Sequence, residues 1–453
     1  MSETTRYHLM GIEGVGMSAL AEALAYLGHA VDGCDLRPGP ASRRLVEEGI
    51  GVHPGHDPAH LPESGVVVAS NAVPENHPEL EAARRRGLRV QKRIQTLADL
   101  LAGGPSLGVT GTHGKTTTTA MLGRIFEAAG ADPLVLVGAR VPGWRGGARL
   151  GNGPRIAEID ESDRRFPEAR VGLAVVTNLE DDHVGAGDQP TYHESQEALR
   201  AAVARWLRAA DRVVYHADWP GLSDLVPGGA LGFGLARGQV RAENPSLTAG
   251  GSRFTLSLRG RPLGQVALSV PGRHNLENAL AAAAAALAWG LDFPAIRRGL
   301  AAFRGTGRRL EPVGRLGEAR VYDDYAHHPT EVEATLRTAR RMGGRVRVVF
   351  QPHRYRRTAR FADRFARALA LADEAIVLEV YPAGEPPIPG VSGARIAEAA
   401  RALGARARFM GWDEALAYLR STLAPGDLIL TMGAGDVWRL GRRLVEEVGS
   451  VWR

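Results

Sequence analysis

A strand, a glycine turn and a helix follow one another without a break at residues 107–129, and that succession limits the fold more than any other part of the chain. Leu107–Thr110 is short and apolar. Gly111-Thr-His-Gly-Lys-Thr-Thr117 comes next, and a helical run continues to Ala129. A buried strand that enters a helix through a glycine turn is the building unit of a parallel α/β sheet. The turn also has a chemistry. Gly111 and Gly114 let backbone N–H groups approach phosphate oxygens, and the helix N-terminus adds partial positive charge. Lys115 can reach β- and γ-phosphates, and the Thr116 hydroxyl can ligate Mg²⁺. Val109 stands at the first-glycine position of the general G-x-x-x-x-G-K-[ST] pattern, so the loop is a variant of it.

Composition sharpens the weight of that lysine. Of the 56 Lys and Arg residues only two are lysines, Lys92 and Lys115. Arginine and lysine differ in shape and hydration, so a lysine retained in such a chain points to its own geometric need. Lys92 reads as a surface residue. The net charge of +6 is scattered and interleaved with acids, with no basic tail and no aromatic-basic module. Nucleic acid is therefore not an expected partner, although the field suits anionic nucleotides. Cys34 is the only cysteine, which fits a reducing compartment. Residues 1–11 have no apolar signal core. The longest apolar run, Ala279–Trp289, falls short of the roughly 18–20 residues that span a bilayer. A cytoplasmic protein without membrane insertion is expected.

The 453 residues suggest three domains at about 150 residues each. Strands are predicted at Tyr7–Ile12, His29–Cys34 and Gly65–Ser70, with helices at Gly16–Leu27 and Ala41–Glu48. Ala102-Gly-Gly-Pro-Ser106 reads as a linker. A second unit has strands near Leu107–Thr110, Pro154–Ile159 and Gly172–Thr177, and closes with an alanine-rich helix at Asn275–Trp289. A third begins near Glu311, with strands at Ala319–Asp323, Val346–Gln351, Glu374–Glu379 and Asp427–Thr431.

Two further segments carry candidate chemistry. Gly11-Ile-Glu-Gly-Val-Gly-Met17 follows the first strand. Read from Gly14, it fits the G-x-G-x-x-A form of a dinucleotide turn, and Asp35 stands where a ribose-binding carboxylate would. A diphosphate site is the minimum reading, and tight packing of helix on strand is the other. Glu158-Ile-Asp-Glu-Ser-Asp163 and Thr177-Asn-Leu-Glu-Asp-Asp-His183 place acids at two strand ends, on the edge that holds the phosphate loop. Hard oxygen ligands there suit Mg²⁺. Glu158 and His183 are the metal-facing candidates; solvation or helix capping accounts for most of the other acids.

Taken together, these motifs resemble the Mur ligases, and within them the alanine-adding branch. Gly111-Thr-His-Gly-Lys-Thr-Thr117, Asp323-Asp-Tyr-Ala-His-His-Pro-Thr330 and Phe350-Gln-Pro-His-Arg-Tyr355 carry the resemblance, with Pro271-Gly-Arg-His-Asn-Leu-Glu-Asn278 and Gly433-Ala-Gly-Asp436. The resemblance implies a three-domain α/β architecture. A Rossmann-like UDP-substrate domain (1–103) would be followed by a central P-loop ATPase domain (104–311). A Rossmann-like amino-acid-binding domain (312–453) would complete it. It also implies ATP and Mg²⁺ as cofactors, UDP-N-acetylmuramate and L-alanine as substrates, and a monomer or weak homodimer. By resemblance, Gly111, Thr112, His113, Gly114, Lys115, Thr116 and Thr117 would hold the ATP phosphates. Thr116, Glu158 and His183 would hold metal. Asn275 and Asn278 would read adenine, and Arg309, Asp324 and Tyr325 would contact the nucleotide. Gly11, Gly14, Val15, Gly16 and Met17 would cradle the UDP diphosphate, with Asp35, His56, Ser70 and Asn71 near uridine and sugar. Tyr325, His327, His353, Arg354 and Arg357 would form the amino-acid site.

Some positions depart from the family pattern. Glu13 replaces a frequent glycine. Asp182-His-Val-Gly-Ala-Gly187 lacks the acid and aromatic of the form D-H-x-D-x-Y. No lysine follows Lys115, so a carbamylated lysine, used by several Mur ligases, is impossible here. Three other readings compete: a sister ligase that attaches a preformed tripeptide, an oxidoreductase binding NAD at the first turn, and a P-loop module without chemistry. The oxidoreductase leaves the second phosphate loop idle, and the module leaves His353 and Arg354 idle. Lys115→Arg is expected to lower turnover roughly a hundredfold or more despite its retained charge, because a planar fork places its protons differently from a point ammonium. Steady-state ADP release measures it.

Overall fold

A computed structural model describes residues 4–182, 184–185 and 192–449. The chain divides into two compact units. One comprises Met1–Pro245, Arg253–Leu268 and Asn275–Thr306; the other comprises Ser246–Ser252, Ser269–His274 and Gly307–Arg453. The first unit holds two sheets and the second holds one.

The first sheet has five parallel strands in the order Gly51–Pro54, Ala30–Asp35, Arg6–Met10, Val66–Ala69, Arg89–Lys92. Its three inner strands match the three expected from sequence to within two residues at each end. The two edge strands, Gly-Val-His-Pro and Arg-Val-Gln-Lys, carry no apolar run that a pattern could reveal. Helices Val15–Tyr26, Pro40–Glu47, Pro78–Arg85 and Arg93–Ala102 connect and cover the sheet.

Lys92 is not on the surface. It is 8% exposed, and its Nζ lies 2.9 Å from Glu75 Oε1 and 3.4 Å from the Val73 carbonyl. This corrects the sequence expectation. A strand end that abuts a helix start buries the lysine's stem and leaves only its tip to pair.

The second sheet has ten strands. Ser106–Thr110 lies at its middle, between Arg155–Glu158 and Leu173–Val176, parallel to both. Val109 is opposite Glu158, and Thr110 is opposite Val176. The three strands therefore finish level. Arg212–His216 and Leu231–Gly234 continue the parallel run. Val240–Thr248, Gly251–Leu258 and Arg261–Leu268 extend one side. These last three are rich in Arg, Ser and Gly, and the sequence pattern missed them. The alanine-rich helix spans Arg273–Trp289, and Ala279–Ala286 within it are fully buried. Leu9 and Leu20 near the first sheet belong to the same apolar cluster as Ala174 and Trp206 of the second. A shared core explains why the two sheets form one unit.

The third sheet has the order Glu311–Leu316, Ala319–Asp324, Asp427–Met432, Arg345–Phe350, Glu374–Val377, Ala407–Phe409. Only its first strand is antiparallel to its neighbour. Again the four inner strands were legible and the two edges were not. Among the described residues, no helix is long and apolar enough to cross a membrane.

A buried arginine ties this sheet together at one end. Arg347 is 1% exposed; its Nε donates to Glu374 at 2.8 Å, and its two Nη groups donate to Asp427 at 3.1 Å and Thr422 Oγ1 at 2.7 Å. Arg345 also holds Asp427. Arg347→Ala leaves two carboxylates with one cation fewer. The expected destabilisation is about 3 kcal/mol, the low end for a broken buried pair, measurable by urea unfolding against wild type.

Candidate active site

The level strand ends build the phosphate loop's surroundings. Gly111 and Gly114 have φ of +131° and +82°, a region that side chains with a Cβ avoid. Space forbids a Cβ as well: on Gly111 it would stand 2.2 Å from Thr177 Oγ1, and on Gly114 2.3 Å from Asn278 Oδ1. The loop is clamped from the neighbouring strand end. His113 N donates to Asn178 Oδ1 at 2.7 Å, and Asn178 Nδ2 returns a bond to the His113 carbonyl at 2.9 Å. Thr177 Oγ1 also donates to the His113 carbonyl, and Glu180 N donates to Thr112 Oγ1. The His113 ring lies 3.1 Å from Glu180 Oε2. Helix Lys115–Ala128 starts on Gly114 without a side-chain cap, so its first amides point toward the loop.

Lys115 Nζ donates to the Gly111 carbonyl at 2.6 Å and to Glu161 Oε2 at 2.7 Å. Burial opposes its charge, but Glu161, Asp160 and Glu158 outweigh burial and hold its pKa above the ordinary lysine value. Burial pushes the Glu161 carboxyl up, against the pull of Lys115. Thr116 Oγ1 donates to Glu158 Oε2 at 2.8 Å, and the same oxygen takes the Gly138 N–H at 2.7 Å. A hydroxyl and a carboxylate oxygen side by side are hard donors that fit Mg²⁺. His183 lies outside the described residues, as does part of the run Gly185-Ala186-Gly187.

Asn278 reaches this loop from the alanine-rich helix. Its Oδ1 accepts from Thr118 Oγ1 at 3.4 Å, and Asn275 Oδ1 is 3.5 Å from its Nδ2. Thr117 is buried in the first turn of the loop's helix. Within the acidic run after Glu158, the Asp160 side chain is partly exposed and accepts from Ser162 N, as expected of solvated or capping acids, whereas two others are buried. Glu161 and Asp163 are 1% and 4% exposed. Glu161 pairs with Lys115, and Asp163 accepts from Asn71 Nδ2 at 3.1 Å and from Arg165 N. The sequence reading missed Glu161, Asn178 and Thr177 as holders of the loop. Their position, on strand ends flanking the glycine turn, was the available signal.

At the first glycine turn, Gly11 N donates to the Cys34 carbonyl at 2.8 Å. Helix Val15–Tyr26 starts on Gly14 without a side-chain cap. Val15 is exposed, while the Met17 side chain is in the core. Asp35 spends one oxygen on Glu13 N and the other on Arg37 N. Glu13 replaces the frequent glycine for a visible reason. Its carboxylate accepts from Gly39 N, Ala41 N, Ser42 N and Ser42 Oγ, and so caps helix Pro40–Glu47. These four bonds hold its carboxyl below the usual range although burial opposes them. Ser70 Oγ accepts from Ala72 N, and His56 turns its Nδ1 toward Cys34 Sγ. The Arg93 guanidinium lies 3.2 Å from where a Cβ on Gly16 would stand. It is a cation over the turn that sequence reasoning missed.

Within the second unit, five expected residues form a chain of contacts. The Arg309 guanidinium lies 5.3 Å above the Tyr325 ring, Tyr325 meets His327 edge-on at 5.2 Å, and His327 meets His353 edge-on at 6.0 Å. Arg357 Nη1 lies 3.4 Å from His353 Nδ1, and the His353 ring stacks on Tyr381. Arg357 is 7% exposed and so is not a surface arginine. Arg354 has φ +71° and lies 3.7 Å from Glu385. Asp324 is placed differently from the rest. Its oxygens accept from Leu310 N and Ala326 N at 2.8 Å each, and burial pushes its carboxyl up to about 6.

Known proteins share this layout. Residues 6–104 match the model of the Mur ligase family catalytic domain. Residues 109–286 match the Mur ligase middle domain, and residues 308–435 match the Mur ligase glutamate ligase domain. The UDP-N-acetylmuramate–L-alanine ligase of Deinococcus radiodurans is 46% identical over 449 residues, which span 97% of this chain and 93% of that one. The crystal structure of the UDP-N-acetylmuramate–alanine ligase of Thermotoga maritima superposes with a TM-score of 0.84 at 31% identity, covering 99% of this chain and all of that one. A murein peptide ligase from Psychrobacter arcticus superposes with a TM-score of 0.71 at 27% identity, covering 98% and 99%. With three domain models in sequence and relatives matched over nearly its full length, this chain belongs to the Mur ligase family.

Proposed function

We propose that this chain is the ATP-dependent ligase that joins L-alanine to the lactyl carboxylate of UDP-N-acetylmuramate. The observation that carries it is the near full-length likeness to alanine-adding relatives, on a chain whose Lys115, Thr116 and Glu158 converge at one strand edge. The likeness to the murein peptide ligase is weaker in both identity and superposition.

The reaction has two steps. A carboxylate oxygen of the UDP-sugar attacks the γ-phosphorus of ATP, and ADP leaves with the broken bond's electrons. The alanine amine then attacks the carbonyl of the acyl phosphate; phosphate leaves, and the amine loses a proton. The first step brings two anions together. Lys115 and the loop amides neutralise that charge and align the transfer. Glu161 gives Lys115 a counter-charge that an arriving phosphate can replace. Thr116, Glu158 and His183 would hold Mg²⁺, which supplies charge neutralisation at the phosphates.

Asn275 and Asn278 offer the adenine edge an amide's paired donor and acceptor. Arg309, Asp324 and Tyr325 serve the nucleotide, Asp324 by shaping the backbone at Leu310 and Ala326. The first glycine turn takes the UDP diphosphate through its backbone, and Arg93 adds a charge there. His353, Arg354 and Arg357 anchor the alanine carboxylate, for which a guanidinium's planar fork is suited.

ADP release is expected only when ATP, Mg²⁺, UDP-N-acetylmuramate and L-alanine are all present. Replacing L-alanine with a murein tripeptide is expected to abolish it. ADP release with tripeptide alone, or without the UDP-sugar, defeats the assignment. Gly111→Ala is expected to keep the fold by circular dichroism and to lose roughly a hundredfold in turnover, the scale of an ångström-size misplacement.

A further inference from the structure

A second cluster of ligand-forming side chains lies beneath the first sheet, and the ligase reaction does not use it. His8, Cys34 and Glu79 are each fully buried. They come from strand Arg6–Met10, strand Ala30–Asp35 and helix Pro78–Arg85, and one donor atom of each lies within 4.8 Å of the others. His56, whose side chain is 8% exposed, stands beside Cys34 and Glu79. His8 Nε2 is 3.1 Å from Glu79 Oε1. His56 Nδ1 is 3.0 Å from Cys34 Sγ and 3.3 Å from Glu79 Oε2. Cys34 Sγ is 3.4 and 3.5 Å from the two Glu79 oxygens.

Donor atoms of His8, Cys34 and Glu79 this close to one another can converge on one ion. Zinc bonds of about 2.0–2.3 Å to nitrogen, oxygen and sulfur put tetrahedral ligands about 3.3–3.6 Å apart. A donor set of one imidazole, one thiolate and one carboxylate is a zinc set rather than a magnesium or calcium set. The surroundings match too. His8 Nδ1 lies 2.5 Å from Asp32 Oδ1, and Arg6 pairs with Asp32 at 2.8 Å. A carboxylate on the far nitrogen of a ligating histidine fixes its tautomer and orientation. We propose that His8, Cys34 and Glu79 form a site for a divalent transition metal of the zinc type.

The site has a structural consequence. The Cys34 carbonyl accepts from both Gly11 N and Ile12 N, so the cysteine backbone anchors the first glycine turn. An ion bound to Cys34 and His8 fixes the two strands that set this turn. A metal is bound by the Cys34 thiolate, so binding releases the thiol proton to solvent.

Cobalt titration of the chelator-treated full chain tests this. Cys34 is the only cysteine, so a thiolate-to-cobalt charge-transfer band reports this site alone, and cobalt near Thr116 and Glu158 gives none. The expected result is a band that saturates at one equivalent, is abolished by zinc, and is absent in Cys34→Ser. Zinc is also expected to raise the melting temperature of wild type and not of Cys34→Ser. No band on the folded wild type overturns the proposal, whatever the variants do. A band that persists in Cys34→Ser overturns it equally.

Discussion

Parallel hydrogen bonding between three central strands is the constraint on which the site depends. Ser106–Thr110, Arg155–Glu158 and Leu173–Val176 run in one direction with Val109 opposite Glu158 and Thr110 opposite Val176. A parallel ladder has no freedom to turn one of them round without a new crossover. All three chains therefore leave the sheet at one edge. The phosphate loop, the acidic run and the Thr177–Asn178 clamp meet there because of register alone. Slipping one strand by a single residue would turn Glu158 to the other face.

Charge is then stored at that edge. Lys115 is drawn into a buried position by Glu161, and Thr116 leans on Glu158. Neither cation nor acid would be stable there alone, since a buried unpaired charge is costly. An arriving nucleotide brings its own anion and cation and can take over these pairings. At the first turn the helix start has no side-chain cap, and Arg93 lies beside Gly16. Asp35 and Glu13 are spent on holding that turn and the next helix, and so they make the site's shape.

Much of the fold was legible because inner strands of parallel sheets are apolar on both faces. Val66–Ala69 and Leu173–Val176 are examples, and each was found within a residue or two. Edge strands such as Gly51–Pro54 and Ala407–Phe409 are short and half polar, so no period marks them. The site was legible where a motif sits within one stretch of chain, as at Gly111–Thr117. It was illegible where partners are far apart. Glu161 is 46 residues from Lys115, and Arg93 is 77 residues from Gly16 in neither motif nor period. Lys92 looked like surface because its burial is set by Glu75 and Val73, which only packing brings near.

The sequence by itself determined the class of fold, the phosphate loop, the family and the scarcity that singles out Lys115. Those follow from local pattern, because hydrophobic period and glycine placement are written in consecutive residues. Tertiary structure alone decided what each acid is for. It set Glu161 on Lys115, turned Glu13 into a helix cap, buried Arg357 against His353, and gathered His8, Cys34 and Glu79 beneath one sheet. The physical reason is that a polar group's role depends on the partner it meets once water is excluded, and those partners come from distant parts of the chain.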